Sequence, residues 1–133
     1  MKYKTIIVMA LLCAVSSATQ AETDLYTYKA VITSVYDGDT VTADVDLGFR
    51  VWIRGEKLRL HRIDAPEVRG VERPLGLISR DWLREKVLGK DVIIKTQKDK
   101  RGKYGRYLVD IILDGKNVND WLVEEGLAEY REY

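Results

Sequence analysis

A small β-barrel carrying two helices is the fold this 133-residue sequence predicts, on three observations. Short runs rich in β-formers end at Gly, Asp or Pro turn signals. A run of helical period interrupts them between the third and fourth strand, over residues 75–88. A second helical run follows the fifth strand, over residues 117–126. Antiparallel strands with a helix inserted before the last pair describe a closed or partly open barrel, an all-β core with helices (α+β). The five-stranded OB-fold is the leading candidate, and a two-layer α+β sandwich is the alternative.

The elements follow in order. Residues 28–36, "YKAVITSVY", form a strand that ends at the turn "DGD". Residues 40–45 alternate, with Val41, Ala43 and Val45 on one face, and close a hairpin. Residues 50–54 and 57–63 are strand-like around a turn at Gly55, and Pro66 ends the run. In the first helix Leu75, Ile78, Trp82, Leu83 and Val87 fall at helical spacing, and Gly89 closes it. Residues 91–96 and 106–113 return to strand, the second ending at Asp114-Gly115. The last helix puts Val118, Trp121 and Leu122 on its apolar side. His61 is expected to be a partly buried strand residue, and Trp82 and Trp121 to be core.

The N-terminus is expected to lie outside this domain. "MKYK" is basic, residues 6–15 are uninterruptedly apolar, and "SSATQA" supplies small residues. That order is a secretory signal over residues 1–21, cleaved after Ala21 or alternatively after Ala18. The apolar run is shorter than the ~20 residues that span a bilayer. An N-terminal anchor and lipidation at Cys13 are the weaker alternatives. The domain is then residues 22–133, secreted or periplasmic. It contains no cysteine, since Cys13 is the only one, so disulfides and thiolate zinc are excluded from it. One histidine, His61, excludes a multi-histidine metal centre.

Net charge conceals an asymmetry. Residues 50–106 hold 17 basic and 8 acidic residues, whereas residues 22–49 hold 1 and 6, and residues 107–133 hold 2 and 7. A strongly cationic middle between acidic ends suggests a field directed at an anion such as phosphate, or else an ordinary solvated basic face.

Chemistry concentrates in four acids. Asp37 and Asp39 sit at the first hairpin turn, and Asp64 and Glu67 sit just past the third strand in "RLHRIDAPE". On a barrel, such strand ends can meet at one rim. Acids gathered there need a cation, and a hard divalent ion accepts carboxylate, carbonyl and water oxygens. Ala65-Pro66 fixes the backbone so that the Ala65 carbonyl can face the ion and Glu67 stands at a set distance. Arg59 and Arg106 would clamp a phosphodiester beside that ion, with Glu67 positioning water for in-line attack. Taken singly, "DGD" is also an ordinary turn, and either arginine an ordinary ion-pair partner.

The segments "YDGDTV", "RLHRIDAPE", "KYGRYL" and "NVNDWLVEEGLAEY" stand in the order and spacing of the staphylococcal-nuclease-like (thermonuclease) family. The resemblance covers residues 30–130 or so. It implies an OB-fold nuclease, dependent on calcium (Ca2+), cutting DNA and RNA to leave 3′-phosphates. By position, Asp39 and Asp64 resemble the metal-ligand aspartates, and Ala65 stands where a backbone carbonyl completes the set. Glu67 resembles the catalytic glutamate, and Arg59 and Arg106 the two phosphate-binding arginines. Lys103 and Tyr104 resemble the residues that contact the terminal phosphate of a bound nucleotide. Asp37 falls behind the ligands. The family continues into a third helix, whereas this sequence stops at Tyr133. The expected partner is nucleic acid, single strands preferred, bound by a monomer without membrane association. A binding module that has lost cleavage is the alternative.

Overall fold

The computed structural model describes residues 25–132. The expected signal segment, its cleavage point and Tyr133 lie outside the described residues. Five strands form the barrel: β1 (Thr27–Asp37), β2 (Thr40–Asp46), β3 (Trp52–Leu60), β5 (Asp91–Arg101) and β6 (Tyr107–Leu113). β1 pairs antiparallel with both β2 and β5, β2 with β3, and β5 with β6. A parallel pairing of β3 with β6, Leu58 to Tyr107 through Leu60 to Val109, closes the sheet on itself. This is the OB-type barrel that the element order predicts.

Three two-residue strands, a 3-10 turn and two helices complete the described fold. β4 (Ile63–Asp64) pairs with β8 (Glu129–Tyr130), and β7 (Lys116–Asn117) pairs with β6. A 3-10 turn (Gly70–Glu72) leads into helix α1 (Arg73–Val87), and α2 is Val118–Glu124. Asn117 caps α2 by accepting the Asp120 N–H at 3.1 Å. No helix among the described residues is long and apolar enough to cross a membrane.

Alternation on β2 places Val41, Ala43 and Val45 inside, against Ile32, Val35, Leu58, Leu60 and Ile94. The two strand-like runs at 50–54 and 57–63 prove to be one strand with a bulge, followed by a turn at His61-Arg62. Pairing with β2 shifts register between Ala43 and Val45. Asp44 holds the bulge, accepting the Gly55 N–H at 2.9 Å and Arg54 Nη1 at 3.0 Å.

Helix α1 forms where its period predicts, and of the expected apolar face Leu83 and Val87 are buried, whereas its first turns present different residues. Gly76, Ser79, Leu83 and Val87 face the barrel, while Leu75 and Ile78 are exposed. Close approach decides this. A Cβ on Gly76 would lie 2.1 Å from the Glu67 carbonyl oxygen, so only glycine lets the helix meet the strand-end turn. Ser79 donates to the Leu127 carbonyl at 2.7 Å. Trp82 and Trp121 are half-buried, packed edge to face at 4.9 Å with Lys86 over both rings.

Candidate active site

The turn between β1 and β2 brings Asp37 and Asp39 to one end of the barrel, both buried. Asp37 Oδ1 accepts the Asp39 N–H at 3.0 Å, the local bond that makes "DGD" a tight turn. Gly38 between them has no space for a side chain: a Cβ there would sit 2.7 Å from Ala65 Cβ and 2.8 Å from Ser79 Cβ. The turn is therefore clamped between α1 and the "DAPE" segment. Across that contact Asp39 Oδ2 accepts the Ala65 N–H at 2.8 Å. Glu72 holds the far side of "DAPE" by accepting the Glu67 N–H at 3.0 Å.

Arg59, one strand over in register with Thr40, unites the acids. Its Nη1 lies 3.1 Å from Asp39 Oδ2, and its Nη2 lies 3.3 Å from Asp64 Oδ1. Nη1 also donates to the carbonyls of Asp39 and Leu60, at 3.3 and 3.2 Å. Arg106 arrives from the β5–β6 loop and donates to Thr40 Oγ1 at 3.1 Å. The Thr40 hydroxyl in turn donates to Asp39 Oδ1 at 3.1 Å. Lys103 and Tyr104 share that loop, where Gly105 takes a left-handed φ of 73°. The Lys103 ammonium and the Arg106 guanidinium each lie 5.4 Å from the Tyr104 ring centre, and Tyr104 is exposed.

The structure thus joins Asp37, Asp39, Arg59, Asp64 and Ala65 through direct contacts, links Arg106 to them through Thr40, and sets the Tyr104 ring beside Arg106 and Lys103. Glu67 stands on the same turn, exposed, and its carboxylate makes no hydrogen bond or ion pair among the described residues. Two contacts escaped the sequence. Thr40 links Arg106 to Asp39, and its only signal was its place after the second aspartate. Arg131, near the C-terminus, lies 3.1 Å from Asp64 Oδ2, a pairing the strand order alone does not foretell.

Burial and the hydrogen-bonded neighbour Asp37 push the Asp39 carboxyl up to about 6, against the opposing pull of Arg59 and the Ala65 N–H. Among the described residues no three acidic, histidine or cysteine side chains gather as a ready cluster for a metal. The donor set still suits a hard cation: two buried carboxyls in contact, a third beyond Arg59, and oxygen atoms alone.

Fold and site together define an OB-type barrel with an acid–arginine centre suited to phosphate. The chain belongs to the staphylococcal nuclease homologue family, whose model matches residues 57–133. It is 28% identical over 120 residues to the thermonuclease of Staphylococcus hyicus, an alignment covering 88% of this chain and 66% of that one. The same figures hold for the thermonuclease of Staphylococcus intermedius. The succinoglycan biosynthesis protein ExoI of Rhizobium meliloti (strain 1021) is 33% identical over 107 residues, 74% of this chain and 50% of that protein. The chain thus spans just under two thirds of the length of the thermonucleases it matches.

Proposed function

We propose that this chain is a calcium-dependent nuclease that hydrolyses phosphodiester bonds of DNA and RNA, leaving 3′-phosphates. The observation that carries the reading is the Thr40-linked approach of Arg106 to the Asp39–Arg59–Asp64 cluster. Carboxylates for a cation and guanidiniums for a phosphate occupy one barrel end, in a family that includes thermonucleases.

Asp39, Asp64 and the Ala65 carbonyl would hold the ion. Bound there, calcium supplies a Lewis acid for a phosphoryl oxygen. Arg59 orients both aspartates and offers its guanidinium to the phosphate. Arg106 grips an equatorial oxygen, more strongly as charge develops. Lys103 and Tyr104 receive a neighbouring phosphate. Glu67 positions a water in line with the phosphorus. The new P–O bond forms from that water as the bond from phosphorus to the 5′ oxygen breaks, and a proton from the water ends on the departing 5′ oxygen, leaving a 3′-phosphate and a 5′-hydroxyl. We further propose export through residues 1–21, action as a monomer and a preference for single strands, whose phosphates enter an open rim.

The test is incubation of the purified chain with labelled single-stranded DNA in calcium, then with chelator added. Cleavage that stops on chelation supports the reading. Binding without cleavage in calcium supports the alternative, an OB-fold module that holds nucleic acid and does not cut it.

A further inference from the structure

The β2–β3 hairpin extends beyond the barrel core and carries side chains that the proposed chemistry does not use. Val41, Ala43 and Val45 point inward, so Thr42, Asp44 and Asp46 mark the outer face of β2, with Thr40 on the same side but buried at the active-site end. Their neighbours on β3 follow from the register: Thr40 opposite Arg59, Thr42 opposite Lys57, Asp46 opposite Trp52. Arg59 belongs to the candidate active site. Lys57, Arg54 and Trp52 therefore lead away from it in a row, over about 20 Å for six residues of strand.

The row ends in a segment with unusual features. The Arg54 guanidinium lies 4.6 Å from the Trp52 ring centre, a cation stacked beside an aromatic surface. At the hairpin tip Phe49 is fully exposed. Phe49 and Arg50 both hold left-handed backbone, φ 52° and 67°, which bulky residues rarely adopt. They are the central pair of the hairpin turn, closed by the Val51 N–H on the Gly48 carbonyl at 2.9 Å, and that turn holds the Phe49 ring out into solvent. Two acids share this face: Asp44 ion-pairs with Arg54 at 3.0 Å, so Arg54 offers chiefly its stacked face, and Lys57 is the cation of the row without an ion pair among the described residues. Asp46 accepts the Gly48 N–H at 2.8 Å, and Asp44 holds Gly55 and Arg54.

We propose that the outer face of this hairpin, from Lys57 through Arg54 and Trp52 to Phe49, is a track for single-stranded nucleic acid running out from the active site. Cations spaced along a strand with an aromatic surface among them are what a flexible polyanion with stacking bases requires. A lipid surface would use the apolar tip but not a cationic row that leads to the site. The inference rests on the nuclease reading for its substrate class, and its test separates the two.

The experiment measures binding in chelator of a labelled single strand of about a dozen nucleotides, beside a dinucleotide, to wild type, Trp52→Ala and Lys57→Gln. Both positions are exposed, and thermal melting checks that each variant folds. Trp52→Ala is expected to weaken the longer strand about tenfold, the loss of one stacked base. Lys57→Gln is expected to weaken it about two- to threefold and to flatten its salt dependence. Dinucleotide binding, and its cleavage in calcium, should stay as in wild type. Equal affinity of all three proteins for the longer strand overturns the track, as does an equal loss on both ligands. A Trp52→Ala loss seen only on anionic vesicles overturns it in favour of a membrane contact. A wild type that binds through Trp52 and never cuts keeps the track and removes the nuclease reading.

Discussion

Arg106 reaches Thr40, 66 residues earlier in the chain, with 3.1 Å between Nη1 and Oγ1. The hydroxyl is a relay: it accepts from the arginine and donates to Asp39. Thr40→Val keeps the shape and removes both bonds. It should lower the single-turnover cleavage rate about tenfold, the effect of roughly 1.4 kcal/mol from misaligning Arg106. Thr40→Ser should restore most of the rate. A valine variant as fast as wild type would mean that Arg106 finds its place without Thr40.

Gly38 makes the site by absence of a side chain. Gly38→Ala sets a methyl group against Ala65 and Ser79 at distances no packed carbon tolerates. Overpacking of this kind costs about 1–3 kcal/mol. The melting temperature should fall by roughly 4–8 °C per kcal/mol, and cleavage should fall further than folding, because the Asp39–Ala65 bond is displaced. An unchanged melting curve would show that the turn is not clamped.

Asp39 carries a proton more tightly folded than unfolded, its carboxyl raised from 3.8 to about 6. Its contribution to the metal-free fold is therefore fully present below pH 3.8 and is lost as pH rises through about 6. Asp37→Asn removes the facing charge and keeps an oxygen for the Asp39 N–H. The metal-free variant should be more stable at pH 7 by about 1 kcal/mol and so melt higher, with a flatter pH dependence between pH 4 and 7. Calcium should stabilise it less than it stabilises wild type. Calorimetric scans across that range with and without calcium check both statements, and a variant that melts lower at pH 7 counts against them.

Salt should weaken nucleic-acid binding. Lysines and arginines that neutralise phosphates release counterions, so the logarithm of affinity falls linearly with the logarithm of salt. The whole chain is near neutral, with a formal charge of +1, so the slope should be modest and carried by residues 50–106. Titrations at several salt concentrations test this, and a salt-independent affinity would make the basic segment only a solvated face.

Much of this was legible in the sequence because it depends on local pattern. Alternation on β2 and the turn at "DGD" specify a hairpin, and "RLHRIDAPE" places acids at a strand end. What was illegible depends on packing. The apolar stripe of α1 correctly includes Leu83 and Val87, but its first turns are set inward by Gly76 and Ser79, small residues that hydropathy undervalues, and not by Leu75 and Ile78. The bulge at Gly55 looks like a chain reversal until Asp44 is seen to hold it. The two-residue strands β4 and β8 carry too few side chains for any period, and with them the Arg131–Asp64 contact stays hidden.

The most direct test of the account is Arg106→Ala, measured by single-turnover cleavage of a labelled single-stranded oligonucleotide in calcium beside its binding affinity. A guanidinium that matters chiefly in the transition state should cost about a hundredfold to a thousandfold in rate when removed. Binding should fall far less, because Arg59 and Lys103 still face the phosphates. A mutant that cuts at the wild-type rate, or a wild type that binds and never cuts, would contradict the account.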